Sequence, residues 1–144
     1  MEQPTDLVEL NRAIARDYWS AHFRRDWAAM AEFFSADVHY DDIGCPGDGA
    51  NGPEEIVAML RLGLEPLDAY IHHPQRTIAE DDTVVTIHME EWRFHTGERI
   101  LHPYVSVFVF RDEKIAIWHD YSNIPNITEN APKWWTEHVA KGWQ

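Results

Sequence analysis

From residue 6 to about residue 24, apolar side chains return every three or four positions. Leu7, Leu10, Ile14, Tyr18 and Ala21 fall on one face, the spacing of an amphipathic helix, and Thr5 or Asp6 can cap its start. Asp26 caps a shorter helix that carries Trp27, Met30, Phe33 and Phe34, and a short strand follows at 38–42. Breakers crowd residues 44–52, which read as a loop. Pro53 stands where proline opens a helix, and Ile56, Val57, Leu60 and Leu64 give that third helix a buried side. Beyond Pro66 the period drops to two. Strands are expected at 69–79, 83–94, 99–111 and 114–123, joined at Glu80-Asp81-Asp82, Thr96-Gly97 and Asp112-Glu113. Residues 131–143 read as a short amphipathic helix. Helices followed by an antiparallel meander make an α+β fold. With no repeat or linker in 144 residues, one domain over 1–144 is expected.

The strand at 100–110 is apolar on both faces. Leu101, Val105, Val107 and Val109 alternate with His102, Tyr104, Ser106, Phe108 and Phe110. A strand covered on both faces is either central or meets another subunit. The aliphatic face is therefore assigned to a second copy of the chain, as a homodimer, and the His/Tyr/Ser face to a cavity. Register decides which glutamate joins that cavity. A three-residue turn including Glu98 pairs Glu90 with Tyr104 and keeps Trp92 inside. A two-residue turn at Thr96-Gly97 pairs Glu91 with His102 instead, and a one-residue slip swaps the faces.

Composition narrows the partners. A net charge of −13 argues against nucleic acid, anionic membranes and polyanionic substrates. Cys45 is the only cysteine, so no intrachain disulfide can form, and the cytoplasm is the expected compartment. No signal peptide and no membrane-spanning run is apparent. Seven tryptophans suggest an aromatic-lined cavity.

Three stretches carry a family likeness: 31–42 (AEFFSADVHYDD) followed by Gly52-Pro53-Glu54-Glu55-Ile56; 85–91 (VTIHMEE); and 107–115 (VFVFRDEKI) with Trp118-His119-Asp120-Tyr121. In these, and in its order of elements, the chain resembles the nuclear transport factor 2-like superfamily. That superfamily includes limonene-epoxide hydrolases, ketosteroid isomerases, SnoaL-like polyketide cyclases and scytalone dehydratases. The resemblance implies a cystatin-like α+β cone, with N-terminal helices packed on a curved, mainly antiparallel sheet around one pocket. It implies a catalytic carboxylate at Asp120 and a water-holding tyrosine at Tyr40. Asp42 falls where the hydrolases use a water-holding Asn and where the isomerases carry their base. Tyr18 falls near a helical oxyanion donor. The hydrolase Arg-x-Asp pattern reads His88-Met89-Glu90 here: the carboxylate is kept as Glu and the Arg is not, which weighs toward proton-abstraction chemistry.

Alternation puts His88, Glu90 and Trp92 on one face, Tyr40 with Asp42, and Trp118 with Asp120. Carboxylates gathered in an apolar pocket cannot all ionise, so one becomes an acid and another a base near neutral pH. The candidate catalytic residues are therefore Asp120, Glu90, His88, Asp42 and Tyr40. Tyr18, Trp92, His102, Tyr104, Phe108 and Trp118 are the candidate substrate contacts. A metal site drawn from His72, His73, His88, Glu90, His102, His119 and Asp120 lacks any recognised spacing, and the 44–52 loop lacks a phosphate-binding pattern. No cofactor or metal is expected. The expected activity is cofactor-independent acid–base catalysis of a lyase or isomerase type on a small apolar or aromatic substrate. Epoxide hydrolysis and a non-catalytic ligand-binding or assembly role are the alternatives.

Overall fold

A computed structural model describes residues 4–142, with side chains from residue 7. Helix α1 (Pro4–Phe23) opens at Pro4; the side chains of Thr5 and Asp6, expected as its cap, and Trp143, expected in the last helix, lie outside the described ones. Asp26 caps α2 (Trp27–Glu32), accepting from the Ala29 N–H at 3.2 Å. Helix α3 (Gly52–Leu64) has Pro53 in its first turn. Strands β1 (Phe34–Ile43), β2 (Ala50–Asn51), β3 (Ala69–Glu80), β4 (Thr83–Arg93), β5 (Arg99–Arg111) and β6 (Lys114–Ser122) form one sheet in the order β2-β1-β6-β5-β4-β3. Helices α4 (Ile124–Thr128) and α5 (Lys133–Gly142) close the chain. The N-terminal helices pack on the sheet, giving the expected α+β cone.

Two features depart from the expected meander. Strand β1 runs parallel to β6, which makes the sheet mixed. The β4–β5 turn is formed by His95-Thr96-Gly97, with the Phe94 N–H donating to the Glu98 carbonyl at 3.0 Å. Glu90 therefore stands opposite His102, and His88 opposite Tyr104, rather than Glu90 opposite Tyr104. The shift is two residues, so every side chain keeps its expected face and Trp92 stays inside.

The inner face has two halves. Under α1 it is solid: Tyr18 and Trp19 pack among Phe34, Val84, Phe108 and Trp118. Toward α3, α4 and α5 it stays open. On the outer face Leu101, Ile117 and Tyr121 are exposed, and Val105, Val107 and Val109 are half-buried. Among the described residues no helix is long and apolar enough to cross a membrane.

Candidate active site

Sheet register arranges the polar side chains in rows on the inner face. Asp42, Asp120 and Ser106 stand side by side on β1, β6 and β5. The next row holds His88, Tyr104 and Ser122, and the one beyond it His72, Glu90 and His102. Helices α3, α4 and α5 and the loop before β2 enclose a cavity of about 310 Å³ over this half of the sheet. Met59, Leu60, Leu64, Trp135 and Val139 supply its apolar wall, and Tyr40, Asp42, Tyr70, Glu90, Tyr104 and Asp120 its polar one. Gly49 sets the rim. Its φ is +76°, and a Cβ there would stand 2.1 Å from the Tyr40 carbonyl oxygen, so only glycine lets the loop lie this close to β1.

Asp120 is 8% exposed. Its Oδ1 accepts from the Trp118 indole N–H at 2.7 Å and the Ser106 hydroxyl at 2.5 Å; its Oδ2 accepts from the Tyr40 hydroxyl at 3.0 Å. Burial, and then the charge of Asp42, raise its pKa to about 7 against those three donors. Glu90 has a single bonded donor, the Tyr70 hydroxyl. Burial pushes its pKa up to about 8; the Tyr70 hydroxyl and the Trp92 indole N–H work against this, and the charges of Asp120 and Asp42 add to it. Behind Tyr70 the polar chain continues inward. The Tyr70 oxygen accepts from His22 Nε2–H at 2.9 Å, and His22 Nδ1 accepts from the Tyr18 hydroxyl at 3.0 Å. Tyr18 has no exposed surface, so this chain ends blind.

Among the described residues every ion pair lies away from these two carboxylates. Asp42 is raised to about 6, chiefly by burial, with the Cys45 thiol donating to it. Cys45 is itself pushed up to about 12 by burial and by Asp42, so it stays a thiol rather than a nucleophile. His102 is lowered to about 4 by burial and is neutral. Its Nδ1 accepts from the Asn126 amide at 3.1 Å, which leaves the proton on Nε2. Among the described residues three buried polar atoms of the lining make no hydrogen bond of good geometry: Tyr104 O–H, Trp92 Nε1–H and Asp42 Oδ1. Water or a ligand that offers an acceptor oxygen and a donor would satisfy them. Among the described residues no group of three or more His, Cys, Asp or Glu side chains is gathered as for a metal ion.

Of the candidate residues, Tyr40, Asp42, Glu90, Trp92, His102, Tyr104, Trp118 and Asp120 line the cavity. Three do not: Tyr18 and Phe108, expected to contact substrate, and His88, expected to act in catalysis, lie outside the lining. Tyr18 and Phe108 are core residues packed edge to face at 5.5 Å. His88 lies behind Tyr104, stacked on it at 3.7 Å, and bonds to His72 and Ser106 instead of the cavity. The cause is common to all three: α1 fills that half of the inner face. His22 and Tyr70 were not foreseen, although both line the cavity. The available signals were His22 four residues after Tyr18 on the apolar helix face, and Tyr70 alternating with His72 on β3.

The SnoaL-like domain family model matches residues 15–118, so the chain belongs to the SnoaL-like family. No curated protein matches it significantly. Several solved structures share its fold. An LEH-like epoxide hydrolase from M. tuberculosis is 15% identical with a TM-score of 0.72, covering 94% of this chain and 93% of that one. A candidate SnoaL-like polyketide cyclase from Shewanella putrefaciens is 13% identical with a TM-score of 0.74, covering 83% and 94%. A candidate ketosteroid isomerase from Kribbella flavida is 19% identical with a TM-score of 0.67, covering 81% and 79%. At these identities the likeness is one of fold, which hosts several chemistries.

Proposed function

We propose that this chain is a cofactor-independent acid–base enzyme of the lyase or isomerase type, acting on a small, largely apolar substrate that carries a carbonyl oxygen. The observation behind this reading is the pair Asp120 and Glu90, buried in one apolar cavity without a cation and with pKa values raised to about 7 and 8. Between those values Asp120 is the ionised base and Glu90 the protonated acid, the poise acid–base catalysis requires. Asp120 takes a proton from the carbon beside the carbonyl. Tyr104 O–H and Trp92 N–H donate to the carbonyl oxygen as charge develops there. Glu90 then protonates the leaving oxygen or the enolate. A volume of about 310 Å³ is at the small end of the roughly 300–1,000 Å³ range of ligand pockets, hence a small substrate.

Epoxide hydrolysis is the second reading. The Tyr40 hydroxyl on Asp120, beside the open Oδ1 of Asp42, favours it as a place for an attacking water. Against it, His88 points away from the cavity, so no cation joins the two carboxylates. A second copy of the chain is the proposed partner of the outer sheet face. The test is a substrate panel of enolisable ketones, β-hydroxycarbonyls and small epoxides, assayed with the wild type, Asp120→Asn and Glu90→Gln. Turnover of a carbonyl substrate that both variants impair supports the first reading, and diol formation from an epoxide the second. Ligand binding without turnover, unchanged in both variants, would overturn both in favour of a binding module.

A further inference from the structure

Glu90 is one end of a polar chain whose other end is closed. The Tyr70 hydroxyl donates to Glu90 Oε2. His22 Nε2 lies 2.9 Å from the Tyr70 oxygen, and His22 Nδ1 lies 3.0 Å from the Tyr18 oxygen. His22 is buried and its pKa is lowered to about 3, chiefly by that burial, so its ring is neutral and carries one proton. Tyr18 is packed among the rings of Trp19, Phe33, Phe34, Phe108 and Trp118, and among the described residues its hydroxyl bonds to His22 alone. Each link holds one hydrogen, so the chain has a direction. Toward Glu90, Tyr18 O–H donates to His22 Nδ1, His22 Nε2–H to the Tyr70 oxygen, and Tyr70 O–H to Oε2. With Glu90 ionised this direction is forced, because a carboxylate only accepts. With Glu90 protonated, a reversed chain would run from Oε2–H to the Tyr18 oxygen and leave the Tyr18 hydrogen facing apolar rings. A buried donor without an acceptor is costly. In the forward direction the hydrogen left over is the one on Glu90 itself, which lines the cavity.

We propose that Tyr18 and His22 are positioning residues: by closing this chain they keep Tyr70 donating to Oε2, and so hold the acid proton of Glu90 on Oε1, open to the substrate. The proposal rests on the reading of Glu90 as the acid. Among the described residues Oε1 makes no hydrogen bond of good geometry, so no protein acceptor competes with the substrate for that proton. When Glu90 acts, the Oε1–H bond breaks, its electron pair stays on Oε1, and the hydrogen joins the substrate oxygen. The Tyr70 bond to Oε2 is the same before and after, so no hydrogen behind Glu90 has to turn. The proton is replaced on the same oxygen by water that enters the cavity once product has left. The blind end at Tyr18 therefore has a use: it gives the chain one direction in both states of the acid.

The titratable groups around Glu90 are Tyr70, His72, His102, Tyr104, Asp120 and Asp42, and those around His22 are Tyr18, Tyr70, His72 and His88. Asp120 and Asp42 titrate lower, at about 7 and 6, and Asp120→Asn and Asp42→Asn identify their steps. Infrared spectra of the full chain should show a carboxyl C=O band that disappears near pH 8 and is absent from Glu90→Gln. Tyr70→Phe should move that band to higher frequency, because the carbonyl oxygen loses its donor; an unmoved band would put the proton on Oε2 and overturn the proposal. Histidine ¹⁵N shifts should show His22 protonated on Nε2 on both sides of the Glu90 step. A proton on Nδ1 below the step that moves to Nε2 above it would overturn the proposal, even if Glu90→Gln impairs turnover and so upholds the acid. His22 fixed as Nε2–H, with turnover unaffected by Glu90→Gln, would keep the direction of the chain and overturn the acid. For a substrate the wild type turns over, His22→Phe frees the Glu90 proton to turn onto Tyr70, and should lower kcat by roughly 10–10²-fold with KM unchanged. Unchanged kcat in a folded His22→Phe would also overturn the positioning role; if that variant does not fold, the wild-type tautomer and the Tyr70→Phe band decide.

Discussion

Glu90 and Glu91 are adjacent, chemically identical and both nearly inaccessible, at 7% and 3% exposure, yet they are opposite kinds of acid. Glu90 faces the cavity with one hydroxyl donor, and burial raises it to about 8. Glu91 faces outward and is hidden by its own partners rather than by the protein mass. Arg99 at 2.9 Å, His73 at 3.0 Å and Arg93 at 2.7 Å donate to it and hold it down to about 2. One step along a strand exchanges a poised acid for a permanent anion. Inaccessibility alone therefore says nothing about reactivity; what matters is whether counter-charge accompanies the group inside.

The largest expected difference between the faces is catalytic. Asp120→Asn should fold and lose turnover by roughly 10²–10⁴-fold, whereas Glu91→Gln, on the outer face, should keep wild-type turnover. Steady-state kinetics on both variants with one active substrate checks this, and a loss confined to KM for Asp120→Asn would mark a positioning role instead. Glu90→Gln comes next. The wild-type profile of kcat/KM should be bell-shaped with an optimum between about pH 7 and 8. The variant should lose about 10²-fold in turnover, together with the basic limb that Glu90 ionisation creates.

Stability should then separate the neighbours by sign. The native chain keeps a proton on Glu90 that the unfolded chain has released above about pH 4.3. Its contribution is fully present below that pH and is lost as pH rises through about 8. Glu90→Gln should therefore stabilise the protein at pH 9 by about 1–3 kcal/mol in urea unfolding. Glu91 is the reverse case: its contribution is present above about pH 4.3 and is lost as pH falls through about 2. Glu91→Gln should lower the midpoint at pH 7 and converge with the wild type in strong acid. The smallest effect on chemistry is expected from Val107→Glu on the outer face. It should shift sedimentation from dimer to monomer while the cavity remains intact. A wild type that is already monomeric at micromolar concentration would contradict the paired-face reading.

Periodicity made most of this fold legible. The period of 3.6 gave α1 and α3 and the period of two gave β3 to β6, to within a few residues. Side-chain parity survived even the displaced β4–β5 turn, because a two-residue shift preserves faces. What alternation does not encode is which non-consecutive strands pair, so the parallel β1–β6 contact was not foreseen. Nor does a face reveal how far a helix covers it. His88 and Phe108 have the same parity as the cavity residues but lie under α1, which itself carries Tyr18, whereas Glu90, Tyr104 and Asp120 lie beyond it. Tyr70 escaped notice because its importance depends on Glu90, which is 20 residues away and meets it only through the β3–β4 pairing.

The parallel contact between β1 and β6 also has a temporal side. Tyr40 and Asp120 are 80 residues apart, and the bond between them spans the closure of nearly the whole sheet. During synthesis β1 emerges early and waits, one edge unpaired, while the local β3–β4 and β4–β5 hairpins assemble. Only when β6 arrives does that edge find its partner and the Asp42–Asp120–Ser106 row come together. A chain halted before residue 114 would hold most of its helices and hairpins, an open strand edge of the kind that invites aggregation, and none of the assembled carboxylate site. The carboxylate row thus waits for the sixth strand, and its cavity for helices α4 and α5, which follow that strand in the chain.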